Sequence, residues 1–86
     1  LRAVRALSAA DDLVADPDVD PQILTMARRD VHRLTPEEAG ADRLIQLAGE
    51  GRQVVRLITG PVEPSTIQAL AKAGVTVEVL LSAPTT

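Results

Sequence analysis

The sequence predicts a small α/β domain with a parallel sheet, on three observations. Segments of helical spacing alternate with short runs rich in Val, Ile and Leu. The stretches between those runs are long enough to hold a crossover helix, so the strands are expected to pair in parallel with right-handed connections. Both faces of the runs are substantially apolar, as in strands covered on two sides. The expected architecture is a three-layer domain: two N-terminal helices, then β-α-β-α-β around a sheet of about three strands.

Residues 1–15 carry Ala3, Ala6, Leu7, Ala10, Leu13 and Val14 on one helical face and Arg2, Arg5, Ser8 and Asp12 on the other, which predicts a first helix. Asp16-Pro17-Asp18-Val19-Asp20-Pro21 ends it. Asp20 then stands as the cap of a second helix, with Pro21 at its first position and Ile23, Leu24 and Ala27 as its buried side, running to about Arg29. Val31-His32-Arg33-Leu34 alternates and predicts a short strand. Thr35-Pro36-Glu37-Glu38 has the form of a capping box with Pro at the first helical position, and predicts the start of a third helix. That helix carries Ala41, Leu44, Ile45, Leu47 and Ala48 and stops at Gly49-Glu50-Gly51. Residues 53–59 form the strongest predicted strand, broken by Gly60-Pro61. Residues 64–73 predict a fourth helix, Gly74 its stop, and residues 75–81 the last strand.

The second half echoes itself. Leu44, Leu47, Gly51, Val54 and Leu57 fall in step with Ile67, Leu70, Gly74, Val77 and Leu80, as two helix–strand units of equal length would. Val31, Arg33 and Leu34 fall in step with Val54, Arg56 and Leu57. The echo assigns Val31, Arg33, Val54, Arg56, Ile58, Val77, Val79 and Leu81 to one side of the sheet. It assigns His32, Leu34, Val55, Leu57, Thr59, Glu78 and Leu80 to the other.

Composition bounds the rest. At 86 residues the chain is one domain, residues 1–86, and the sequence reads as attached to a longer chain. It has no Phe, Tyr or Trp, so the core lacks the side chains that bury the most area. It has no cysteine, hence no disulfide and no thiolate metal site. A thin core and open sheet edges lead to the expectation of a protein partner or self-association. A net charge of −3 and the lack of aromatics argue against nucleic-acid binding. No apolar run is long enough to span a membrane and no leader is visible, so the expected location is cytoplasmic.

The chemistry-bearing motifs are few. Neither GxxxxGK[ST] nor GxGxxG is present, and no G-x-S-x-G elbow accompanies the single histidine. No catalytic residue, metal site or cofactor is expected. Asp16, Asp18 and Asp20 open like a calcium loop, but Pro21 and Ala27 stand where such a loop needs Gly and Glu. His32 is the one side chain expected to titrate near neutrality, with Glu78 as a conceivable neighbour across the sheet. Arg33 and Arg56 are expected on one face, either clamping an anion or pairing with aspartates of the N-terminal segment.

A small-molecule ligand, if one binds, belongs at the carboxyl ends of the strands. The loop of residues 59–66 is the candidate. Gly60 lets a ligand approach the backbone, Thr59, Ser65 and Thr66 bring hydroxyls near a helix N-terminus, and Arg56 lies just behind. Glu63 limits such a ligand to a single anionic group. The missing catalytic set leads to the expectation of a non-catalytic interaction or assembly module of a larger bacterial protein. The alternative is a regulatory domain binding a small ligand at this loop, with an enzyme ranked third.

Overall fold

The computed structural model describes residues 2–80, with side chains from Arg5 to Leu80. Helices and strands alternate along it: α1 (Arg2–Ala9), β1 (Asp12–Ala15), α2 (Pro21–Leu24), β2 (His32–Leu34), α3 (Ala41–Gly49), β3 (Val54–Ile58), α4 (Pro64–Lys72) and β4 (Thr76–Val79). The strands form one parallel sheet in the order β2-β1-β3-β4. Leu81 of the expected last strand and the tail, residues 82–86, lie outside the described residues, as do the side chains of Arg2 and Ala3.

The three expected layers are present. Leu13 of β1 faces α1 and α2, packing with Leu7, Ala10, Val19, Val55 and Leu57. Val14, on the opposite face, packs with Leu44, Leu47, Val54, Leu70 and Val75 beneath α3 and α4. With no aromatic side chain available, leucines are the largest buried groups on both faces.

The first helix is the main correction. It ends at Ala9, and residues 12–15 form the central strand, which raises the sheet to four strands. Leu13 and Val14 are buried on opposite faces of the sheet, at 1% and 0% exposure. An apolar pair covered on both sides fits a helical stripe and a buried strand equally well, so spacing alone does not separate them.

Two helix ends also differ from expectation. Asp20 caps α2 through the Gln22 N–H at 2.9 Å, with Pro21 at the first position. However, α2 stops at Leu24, not near Arg29. The Thr25 hydroxyl donates to the Gln22 carbonyl, and Met26 and Ala27 bond three residues back, which turns the chain without extending an α-helix. The capping box forms reciprocally: the Glu38 N–H donates to Thr35 Oγ1 and the Thr35 N–H to Glu38 Oε1. It closes a single turn. Gly40 is extended there, and α3 starts at Ala41. At the other ends, Gly51 and Gly74 take φ of 86° and 97°, the left-handed conformation that stops α3 and α4. After α4 the Val75 N–H returns to the Leu70 carbonyl at 2.9 Å.

The facing of β2 is inverted relative to the echo. Asp12 aligns with both His32 and Val54, so His32 and Leu34 share a face with Val54 and Arg56. Arg33 lies on the opposite face from Arg56 and is not its neighbour. His32 and Glu78 stand on the two outer strands, with β1 and β3 between them. A one-residue slip in register exchanges every side chain between faces, and sequence spacing across a helix does not set it.

Leu13→Ala is expected to cost about 2–5 kcal/mol in denaturant unfolding, because both layers close over the central strand. A loss below about 1 kcal/mol would contradict the placement of Leu13 in the core. Thr35→Ala removes the acceptor for the Glu38 N–H and is expected to lower stability by about 1 kcal/mol in the same assay.

Candidate functional site

The strand order decides where a ligand fits. From β1 the chain crosses to β2 on one side, then returns to β3 on the other side of β1. The reversal opens a crevice beyond the carboxyl ends of β1 and β3, the position used by ligands in open α/β sheets.

Asp16, the residue after β1, forms the floor of that crevice. Its Oδ1 lies 2.8 Å from Arg56 Nη2, and its Oδ2 accepts the Thr59 N–H at 2.9 Å. Arg56 Nη1 also donates to the Leu57 carbonyl at 2.8 Å. Burial pushes the Asp16 carboxyl up, but the Thr59 N–H and the Arg56 guanidinium outweigh it and hold it below the usual carboxylate range. Asp16 is therefore a fixed anion near neutral pH, suited to positioning and ill-suited to accept a proton.

The residues singled out from sequence fall around this point. Arg56 is half-buried and committed to Asp16, the structural pairing with an N-terminal aspartate. Thr59 follows β3 and is tied to Asp16 through its backbone. A side chain at Gly60 would meet nothing within 4 Å, so the backbone there lies open. Ser65 is exposed and Thr66 half-buried on the first turn of α4. The Thr66 N–H is already bonded to the Glu63 carbonyl. Glu63 caps α4 by position without a side-chain bond. Pro61, Val62, Glu63 and Pro64 line a hollow of about 280 Å³ beside it.

Sequence reasoning missed the other wall. Ala15, Asp16, Pro17, Thr35, Pro36 and Glu37 line a cleft of about 410 Å³ between the loops that follow β1 and β2. It adjoins a cleft of about 250 Å³ whose wall includes Leu13, Val19, Leu24, Arg33 and Leu34. Asp16 went unrecognised because residues 12–15 read as helix, which made Asp16 a helix end and not a strand end. The available signal was the Leu-Val pair set between aspartates.

A second charged cluster sits at the opposite, amino edge of the sheet. Asp12 is buried, and its carboxylate accepts from Arg52 and lies 3.1 Å from His32 Nδ1. His32 thus meets Asp12, not Glu78. Burial pushes Asp12 up, but the hydrogen bonds from Arg52 and His32 and the charges behind them bring it below the usual range. Among the described residues no group of three His, Cys, Asp or Glu side chains is placed to hold a metal ion. No described helix is long and apolar enough to cross a membrane.

No family model matches the chain. Siroheme synthase from Nitrosospira multiformis is 41% identical over 69 residues, covering 69% of this chain and 15% of that protein. Siroheme synthase from Hahella chejuensis is 34% identical over 96 residues, covering 92% of this chain and 20% of that protein. Among solved structures, uroporphyrin-III-C-methyltransferase from Thermus thermophilus matches with a TM-score of 0.67 and 31% identity, over 94% of this chain and 39% of that one. All three are enzymes. This chain spans at most a fifth of either synthase.

These likenesses overturn the expectation of a non-catalytic interaction or assembly module, and with it the regulatory alternative. They lend no support to the expected protein partner or self-association. Missing nucleophile, metal and phosphate-loop motifs are not by themselves a sign of no catalysis. Methyl transfer can run on positioning and electrostatics alone, which leave no such motif.

The two aspartates contribute to the acid sensitivity of the fold. Each has a folded-state pKa below its unfolded value near about 4, so its contribution is complete above that pH and is lost as pH falls through the folded value. Unfolding free energy is expected to be flat from neutrality down to about pH 4 and to decline below it. Asp12→Asn is expected to cost about 1–3 kcal/mol at neutral pH and to make the acid decline shallower. Chemical denaturation at a series of pH values checks both.

Proposed function

We propose that this chain is one lobe of a C-methyltransferase acting on a tetrapyrrole, and that it forms one wall of the site at the carboxyl ends of β1 and β3. The observation that carries the reading is the likeness to uroporphyrin-III-C-methyltransferase, which extends over 94% of this chain. The match to siroheme synthases agrees with it. The chain spans 39% of the methyltransferase, so the lobe is read as part of a longer enzyme whose remaining residues complete the site. The same reading places it in the cytoplasm.

The edge chemistry suits that role. Glu63, in the loop after β3, puts a carboxylate beside the crevice, where it stabilises a group that carries or gains positive charge during methyl transfer, and Asp16 fixes the crevice floor. Gly60 offers open backbone, and Ser65 and Thr66 add hydroxyls on the first turn of α4. Arg56 acts through Asp16: it fixes the carboxylate that faces the crevice.

Amide chemical shifts recorded during titration with uroporphyrin III test this reading. Shifts are expected to cluster at residues 15–17 and 59–66. An absence of shifts at millimolar uroporphyrin, or shifts confined to the amino edge around Asp12 and His32, would overturn it.

A further inference from the structure

Four arginines near the sheet differ in one respect. Arg52 is held by Asp12, Arg56 by Asp16 and Arg28 by Asp30 and Asp11. Arg33 has no salt bridge among the described residues, although it lies on β2 at the wall of a cleft. The cleft runs from the carboxyl end of β1 onto the face covered by α2. Leu13, Val19, Leu24 and Leu34 make its apolar side, with Thr35 at the rim.

We propose that this cleft is a binding site for a short aliphatic carboxylate, held by the Arg33 guanidinium with its apolar body against Leu13, Val19 and Leu24. Three observations carry the assignment. The first is charge. Asp16 also borders the cleft, but its anion is already balanced by Arg56 and the Thr59 N–H, so Arg33 is the uncompensated group there. A guanidinium fork takes a carboxylate through two parallel hydrogen bonds. The second is chemistry: one cation beside an apolar wall matches an anion with a short hydrocarbon tail. The third is size. A volume of about 250 Å³ falls below the usual range for a complete drug-sized ligand, so the occupant is a fragment-sized acid or one carboxylate arm of a larger molecule.

The site goes beyond the methyltransferase reading and does not require it. The two sources of the carboxylate, a free acid or an arm of a macrocycle, are separated by experiment.

Valerate serves as the probe, with valeramide as the uncharged control, and the amides of the whole chain are followed by two-dimensional NMR. Valerate is expected to shift Leu13, Ala15, Val19, Arg33, Leu34 and Thr35, and valeramide to leave them in place. Arg33→Gln is expected to weaken valerate binding by about tenfold, with Arg33→Lys falling between. Arg33 is exposed on an edge strand, and unchanged amide positions in α3 and α4 confirm that the variant is folded. An absence of shifts at millimolar valerate, equal shifts with valeramide, or an unchanged affinity in Arg33→Gln would each overturn the proposal. If uroporphyrin III shifts the same amides and competes with valerate, the arm is the source. If valerate binds there and uroporphyrin binds nowhere, the acid site stands and the methyltransferase reading falls. If uroporphyrin shifts residues 59–66 while valerate leaves the cleft untouched, the reverse holds.

Discussion

The pairing of β1 with β3 carries the rest of the molecule, and it is clamped at both ends by an aspartate of the N-terminal segment. At the amino end, Asp12 receives Arg52, and the Asp11 carboxylate accepts the Gln53 N–H at 2.9 Å. At the carboxyl end, Asp16 receives Arg56 and the Thr59 N–H. The strand that carries them has only four residues, Asp12–Ala15, of which Asp12, Leu13 and Val14 are buried. A strand that short has few ladder bonds to fix its register. The charged ends supply that specification, since a one-residue slip would separate each carboxylate from its donors and strand it against an apolar layer.

The clamps also shape the two edges of the sheet differently. At the amino edge, Asp12 is closed over by Arg52 and His32 and is spent on holding β1, β2 and the start of β3 together. At the carboxyl edge, the same kind of pair leaves space around it. Asp16 borders both adjoining clefts while its charge is already balanced. The crevice also lies where the chain order reverses, so the loops after β1 and β3 diverge and leave room between them. Strand order and ion pairing thus converge on one edge.

The small core makes this economy of charges understandable. Without an aromatic residue, the layers are joined by Leu, Val and Ala contacts, with Leu7, Leu13, Leu44, Leu57 and Leu70 as the largest buried groups. Each buries less area than an aromatic ring would. Specification of one arrangement over its neighbours falls to features that do not depend on size: the left-handed Gly51 and Gly74, the Asp20 cap, the Thr35–Glu38 box and the aspartate clamps.

Local signals were legible in the sequence because they act over a few residues. The alternation of helices and strands from residue 31 onward, the glycine stops, the Asp20 cap and the reciprocal Thr35–Glu38 bonds all follow from propensity and capping chemistry. The α/β class and the placement of helices on both faces followed from them. The loop after β3 was legible too, as the end of a strongly patterned strand. What needed the tertiary structure was everything that depends on two faces at once. Leu13 and Val14 look like part of a helical stripe until layers close over both sides, and only then do residues 12–15 become the central strand. The register of β2 depends on hydrogen bonds to β1, which spacing along the chain does not encode. Asp16 becomes a site residue only once its strand is recognised and Arg56 arrives from 40 positions further along the chain. Such a contact is fixed by packing between distant segments, and that is where local reading of the chain stops.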